Sequence, residues 1–432
     1  MNRFAAAVLV VAAAPAFAAL VPSASKPEEV GFSSERLQRV REAVQRHIDA
    51  NDVSGAVTLV ARKGRIAHLE AQGLMDIEAK KPMPKDGIFR LASMSKPITG
   101  AAVMMLVEEG RIRLNDPISR FIPEFKNLNK VAVPKPVVPG AGGGGRGAPP
   151  AAGGRGGRGA APEFDTVTAN REIMIKDLLT HTSGLMSGGL GNGAAPQRTP
   201  TDTLATYIPK LAMVPLDFQP GTLWRYSGLA GFDVLGRVIE VASGQSFDQF
   251  LKQRLFDPLG MKDTGFYPST DGASRLVTLY NRQGGTLARV EDQNGLTSRV
   301  YFSGAGGLMT TTAADYLQFA QMMLNGGQLN GKRFLGPRTI ELMTSNHTGD
   351  MVNGQFGRPA RGMGFGLSMQ MVLDPVAADL RVGPGTFGWA GAYGCNVNMD
   401  PKENMVTIIM MQTSTPALQR DFENAVWQAI VE

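Results

Sequence analysis

The sequence predicts an α+β fold: an antiparallel sheet flanked by N- and C-terminal helices, with a large, mostly helical domain inserted into it. Three observations predict this. A helix and then a hairpin open the globular part of the chain, strands and then a helix close it, and the long middle carries helical periodicity. Such an order lets both ends of the chain build one sheet with helices packed on it. The chain has 432 residues, 43% of them hydrophobic and 19% charged. That supplies a large core and excludes a solvated, disordered polymer.

Residues 1–19 read as a signal peptide rather than as structure. Arg3 provides a positive start, Phe4 to Ala14 are apolar, and Ala16-Phe17-Ala18 suits cleavage near Ala18 or Ala19. No cysteine follows to take a lipid, and no later segment reaches 18 consecutive apolar residues. The expectation is an exported protein, periplasmic or secreted, with no stable membrane anchor.

Ser33 and Ser34 then precede Glu35 and the apolar series Leu37, Val40, Val44 and Ile48, an N-cap followed by an amphipathic helix. Ala56 to Ala61 and Ile66 to Ala71 read as strands joined at Lys63-Gly64. Helical periodicity follows at Lys96 to Glu109, Ile173 to Thr180, Leu229 to Ala242, Phe247 to Phe256, Thr312 to Asn325 and Pro337 to Thr344, with few strand signals between. Thr312 and Asp315 resemble a capping box with Asp in place of Glu. Gly364 to Val372, Gly394 to Met399 and Met405 to Thr413 read as strands, and Ala417 to Val431 as the closing helix. Residues 24–90 and 345–432 therefore form the expected sheet domain and 91–344 the helical one, with a groove between them as the natural ligand site.

Residues 139–162 are almost wholly Gly, Ala, Pro and Arg, a composition that cannot bury enough apolar surface to order itself. Most of the formal charge of +6 is local: Arg146, Arg155 and Arg158 lie in this insertion, Lys135 just before it and Arg3 near the N-terminus, which leaves the rest of the chain nearly neutral. A nucleic-acid partner is not expected. The single cysteine, Cys395, excludes intramolecular disulfides and cysteine-based zinc sites, and His47, His68, His181 and His347 show no metal spacing. Cys395, in an apolar strand, reads as a small core residue, and His181 as a helix-end histidine bonded to nearby carbonyls.

The chemical signal is Ser93-Met94-Ser95-Lys96. A helix starting near Ser93 puts positions i and i+3 on one face, one turn apart. A lysine amine then reaches the serine oxygen, and a desolvated amine can take the proton that keeps serine from being a nucleophile. The helix N-terminus adds backbone N–H groups for an oxyanion.

With this motif the sequence resembles the serine β-lactamase and penicillin-binding-protein superfamily, especially the class C enzymes and the carboxylesterases related to them. The resemblance runs from about Gly31 to the C-terminus outside the Gly-rich insertion. It includes Gly31-Phe32-Ser33, Ile98-Thr99, Leu106 to Pro117, Asp177 to Leu185 and Gly304 to Thr312. It implies a β-lactamase/transpeptidase-like fold and an acyl-enzyme mechanism without metal or cofactor.

The family's Tyr-x-Asn motif is matched by Tyr226-Ser227-Gly228 at the tyrosine only. The resemblance implies that Tyr226 shares a proton with Ser93 and Lys96, as base in acylation and then as relay for water in deacylation, and puts Gly228 where an amide would contact substrate or steady the lysine. Its third motif, usually Lys-Thr-Gly, is matched by Trp389-Ala390-Gly391, so an aromatic replaces the cation. Ala390 and Gly391 would let substrate approach the strand, and the N–H groups of Ser93 and Ala392 would form the oxyanion hole. The implied activity is that of a secreted serine hydrolase, a carboxylesterase on small to medium neutral esters. The alternatives are a β-lactamase or D-amino-acid peptidase, and a non-catalytic penicillin-recognition-like binding protein. The expected partner is a small-molecule ester.

Overall fold

The structure is a computed structural model that describes residues 20–126, 130–135, 163–291, 300–306, 309–352 and 361–432. The leader expected at 1–19 and the insertion expected at 139–162 lie outside the described residues.

Ser33 opens the first helix, α1 (Ser34–Asp49): its Oγ accepts the Arg36 N–H at 3.2 Å, and Leu37, Val40, Ala43 and Val44 form the buried stripe. The hairpin follows as β1 (Gly55–Arg62) and β2 (Arg65–Asp76), turning where Lys63 and Gly64 both take positive φ. Two left-handed residues suit the twist of such a hairpin. β2 runs beyond the expected Ala71 and pairs with a short β3 (Lys81–Pro82).

The C-terminal part supplies five more strands. The stretch expected as one strand, Gly364 to Val372, is instead a tight hairpin of β4 (Met363–Phe365) and β5 (Gln370–Val372). Ser368 at φ 78° and the Gly366 N–H bond to Met369 O reverse the chain there, and no single extended strand can accommodate that φ. Then come β6 (Phe387–Ala390), β7 (Asn396–Asp400) and β8 (Met405–Met410). The sheet order is β4-β5-β6-β7-β8-β1-β2-β3, with every pairing antiparallel. The first and last parts of the chain thus meet at β1–β8, register Val57↔Met410 to Arg62↔Met405.

β1 is buried along its whole length because both faces are covered. Ala56 and Val60 pack with Ile409, the α1 stripe and Leu418 and Phe422 of the closing helix. Val57, Leu59 and Ala61 join the main core with residues of the helical region such as Ala102 and Phe319.

Within that region lie α2 (Lys96–Glu108), α3 (Ile175–Leu179), α4 (Ala230–Ser243) and α5 (Ala313–Leu324), and the chain closes with α6 (Pro416–Trp427). Helices also form at Phe247–Leu251, continuing through a wider π-type turn at Lys252–Phe256, and at Pro337–Met343. The cap of α5 is only half the expected box. Thr312 Oγ1 accepts the Asp315 N–H at 3.1 Å, but the Asp315 carboxylate turns away to the Asp263 N–H and Thr264 Oγ1, at 2.7 and 2.9 Å.

The middle of the chain holds more pairing than the sequence reading expected: Lys130–Pro134 with Phe164–Thr168, Tyr280–Gln283 with Thr286–Arg289, and Gln328–Leu329 with Lys332–Arg333. The last two turn at Gly284-Gly285 and Asn330-Gly331, all four residues at positive φ. These are two-residue hairpin signals that the helical periodicity around them obscured.

Candidate active site

Ser93 lies not within α2 but in a 3-10 turn, Ala92–Ser95, that feeds it. In such a turn side chains three apart eclipse each other, so Lys96, the first residue of α2, comes directly under Ser93. Lys96 Nζ is 3.1 Å from Ser93 Oγ. The turn is held from several sides. Ala92 takes φ 47°, unusual for a residue with a side chain. Ser95 Oγ donates to Ala92 O at 2.8 Å, and the buried Tyr316 hydroxyl donates to Met94 O at 2.8 Å. Gly306 passes so close that a Cβ there would meet Ala92 O at 2.0 Å.

Lys96 is fully buried. Besides Ser93 it donates to two backbone carbonyls, Gly228 O at 2.8 Å and Ala305 O at 3.2 Å, and Nζ lies 5.0 Å from the Tyr226 ring centroid and 5.5 Å from that of Phe232. The two carbonyls absorb two hydrogens of the amine. Its third position is therefore aimed at Ser93 Oγ, as a lone pair that accepts the hydroxyl proton or as a hydrogen that holds the alkoxide. Gly228 is thus a lysine-holding residue through its carbonyl, the steadying task otherwise assigned to an amide side chain. A Cβ at Gly228 would meet nothing within 4 Å, so the space for a side chain exists.

Tyr226 precedes α4 and lines the same cleft as Ser93, a space of about 380 Å³. The Trp389 indole N–H points to Tyr226 Oη at 3.4 Å, and the two rings lie 5.5 Å apart. With Trp389, the lining includes the apolar residues Met363, Val372, Leu380, Val382 and Phe387. Its polar lining includes Asn396 and Asn398 together with Gln419, Arg420 and Glu423 of α6, an arginine and an acid among them. Ala390, Gly391 and Ala392 also line it. The space beside Gly391 is taken by the protein itself, since a Cβ would meet Leu91 O at 2.0 Å. That glycine lets the end of β6 abut the Ser93 turn.

Two further residues shape the site. Asp233, in the first turn of α4, is buried and accepts from Tyr301 Oη, Ser303 Oγ and the Ala305 N–H at 2.7, 2.6 and 3.1 Å. It thereby fixes the segment whose Ala305 carbonyl holds Lys96. Burial pushes its carboxyl up, while these hydrogen bonds and the Lys96 charge oppose that shift. The signal was present as an acid among Ala230, Gly231, Phe232, Val234 and Leu235, where a lone charge requires partners. His181 differs from its expectation: among the described residues its ring makes no hydrogen bond to a carbonyl but accepts the Ser227 N–H at Nδ1, 3.2 Å away. Cys395 is buried, and burial pushes its thiol up to about 12, which leaves it inert at neutral pH.

The beta-lactamase family model matches residues 40–431. An uncharacterized protein of Mycobacterium tuberculosis (strain CDC 1551 / Oshkosh) is 37% identical over 397 residues, 88% of this chain and 90% of that one. Esterase EstB of Burkholderia gladioli is 30% identical over 403 residues, 87% of this chain and 90% of its own. Among solved structures, EstCE1, a hydrolase with promiscuous acyltransferase activity, superposes with a TM-score of 0.71 at 27% identity, covering 91% of this chain and 99% of its own. The chain belongs to the beta-lactamase family, and within it is a serine hydrolase of the kind to which these esterases belong.

Proposed function

We propose that this protein is a carboxylesterase for small to medium neutral esters, with Ser93 as nucleophile. Ser93 Oγ attacks the ester carbonyl carbon while its proton passes to Lys96 and Tyr226. The N–H groups of Ser93 and Ala392 hold the oxyanion, a contribution of about 3 kcal/mol per donor in other hydrolases. The C–O bond to the alcohol breaks as Tyr226 returns the proton to the leaving oxygen. Water, deprotonated by the same pair, then attacks the acyl-enzyme and releases the acid. The single observation that carries the reading is the buried Lys96, anchored on two carbonyls and aimed at Ser93 at the edge of the cleft.

Trp389 decides the substrate class in this reading. It stands where the family places a cation for a substrate carboxylate, and a charge pair at 4 Å near a protein surface is worth about 4 kcal/mol before desolvation. The indole and the other apolar lining residues favour uncharged groups, and Arg420 on α6 is accompanied in the lining by Glu423. Esterase EstB and EstCE1, by their names, support the ester preference. Butyrate and acetate nitrophenyl esters are expected to be turned over well and nitrocefin poorly. Faster turnover of nitrocefin than of the butyrate ester overturns the reading. Trp389→Lys with Gly228→Asn, the latter into open space, is expected to move the ratio toward anionic lactams. A fluorophosphonate adduct found by mass spectrometry on Ser93 identifies the nucleophile. The N-terminal segment supports export, so N-terminal sequencing of protein from a bacterial host's periplasm is expected to begin just after Ala18 or Ala19.

A further inference from the structure

His181 has three features that packing alone does not require. It takes φ 58° at the end of α3, a left-handed conformation that strains a residue with a side chain. It is buried, and its Nε2 has no hydrogen-bond partner among the described residues. And it grips the chain on both sides of Tyr226: His181 O accepts the Arg225 N–H at 3.1 Å and Nδ1 accepts the Ser227 N–H at 3.2 Å. Between those two anchors the imidazole lies against the Tyr226 ring, centroids 4.4 Å apart, with Phe232 and Phe365 at 5.3 and 5.2 Å.

The bond from Ser227 requires Nδ1 to be an acceptor, which puts the ring hydrogen on the orphaned Nε2. Burial and the nearby Lys96 both oppose a charged ring, so this neutral tautomer is held. Strain and an unsatisfied buried donor persist only where the surroundings demand that residue, and they gather at functional sites. A small residue there would lose both the face against Tyr226 and the second anchor.

We propose that His181 is a positioning residue for Tyr226: one side chain and its own carbonyl clamp the two peptide N–H groups flanking the tyrosine and set its ring over Lys96. The proposal rests on the reading of Tyr226 as the proton carrier, and the test separates the two.

Three variants isolate the parts of the clamp. His181→Asn keeps an acceptor close to Nδ1 and tolerates the left-handed backbone. His181→Phe keeps the ring face without the acceptor, and His181→Ala keeps neither. With p-nitrophenyl butyrate, His181→Ala and His181→Phe are expected to lose 10- to 100-fold in kcat with KM within threefold, and His181→Asn to recover to within about fivefold of wild type. Should His181→Ala fail to fold, the contrast of Asn with Phe decides. In a double-mutant cycle the His181→Phe loss is expected to vanish in the Tyr226→Phe background, because a positioning residue has nothing left to position. The same fold-loss in both backgrounds, or a loss appearing only in KM, overturns the proposal. Full activity of Tyr226→Phe overturns the reading of Tyr226 itself.

Discussion

A lysine that donates to two carbonyls and turns its third position to one serine has every position of its amine assigned, which leaves little tolerance at any of the three residues around it. Ser93→Ala is expected to abolish ester hydrolysis, and Lys96→Ala and Tyr226→Phe to lower kcat by about 1,000-fold or more with circular dichroism unchanged, since members of a catalytic unit fail together. Turnover within tenfold of wild type in Ser93→Ala would end the mechanism. Asp233 acts one step further out. Asp233→Ala strands three buried donors and frees the segment that presents Ala305 O, so a loss of about 2–4 kcal/mol in urea unfolding is expected together with a fall in kcat. An Asp233→Ala protein as stable as wild type would show that those donors find other partners.

Between elements, the contacts that matter are backbone against backbone. Gly391 at the end of β6 touches Leu91 O of the Ser93 turn, and a methyl group in that gap has only main chain to displace. Gly391→Ala is expected to cost at least tenfold in kcat and several degrees in melting temperature, whereas Gly228→Ala, in open space, leaves the melting temperature unchanged. At the start of α5 the tether through Asp315 has a pH signature. Burial raises its carboxyl from 3.8 to about 6. Between those values the folded state keeps a proton that the unfolded chain has lost, so stability falls as pH rises from about 4 to 6, by about 3 kcal/mol over two units. Urea midpoints measured at pH 4.5 and 6.5 are expected to carry this slope in the wild type and to lose it in Asp315→Asn. An identical slope in both proteins would assign it to other groups.

At the scale of the whole molecule, one chain folds back so that its two ends share a sheet and its middle supplies the helices that close the site. The strands Lys130–Pro134 and Phe164–Thr168 flank the Gly-rich insertion and already pair with each other. Their partners are in place whatever joins them, and loop-closure entropy changes slowly with length. Replacing residues 140–161 with a short Gly-Ser linker is therefore expected to leave the melting temperature within about three degrees and ester turnover within twofold. A drop of ten degrees would mean that the segment packs on the body.

What the sequence by itself determined is what lies close along the chain. The Ser93–Lys96 pair is three residues apart, within one turn, and the caps, hairpins and amphipathic stripes of α1, β1 and β2 are equally local. Their period and punctuation are printed in the side chains. Tyr226 and the Trp389 stretch were legible through resemblance, as residues in order, without a distance between them. Gly364 to Val372 misled because the left-handed position of its turn is filled by a serine, Ser368, and not by the Gly or Asn that marks such a position. Only the tertiary structure decided which atoms surround the amine: Gly228 and Ala305 lie 132 and 209 positions from Lys96, and both contribute carbonyl oxygens. Every residue has a carbonyl, so no side-chain pattern can announce which two will hold a buried lysine, and the same is true of the amides that His181 clamps beside Tyr226.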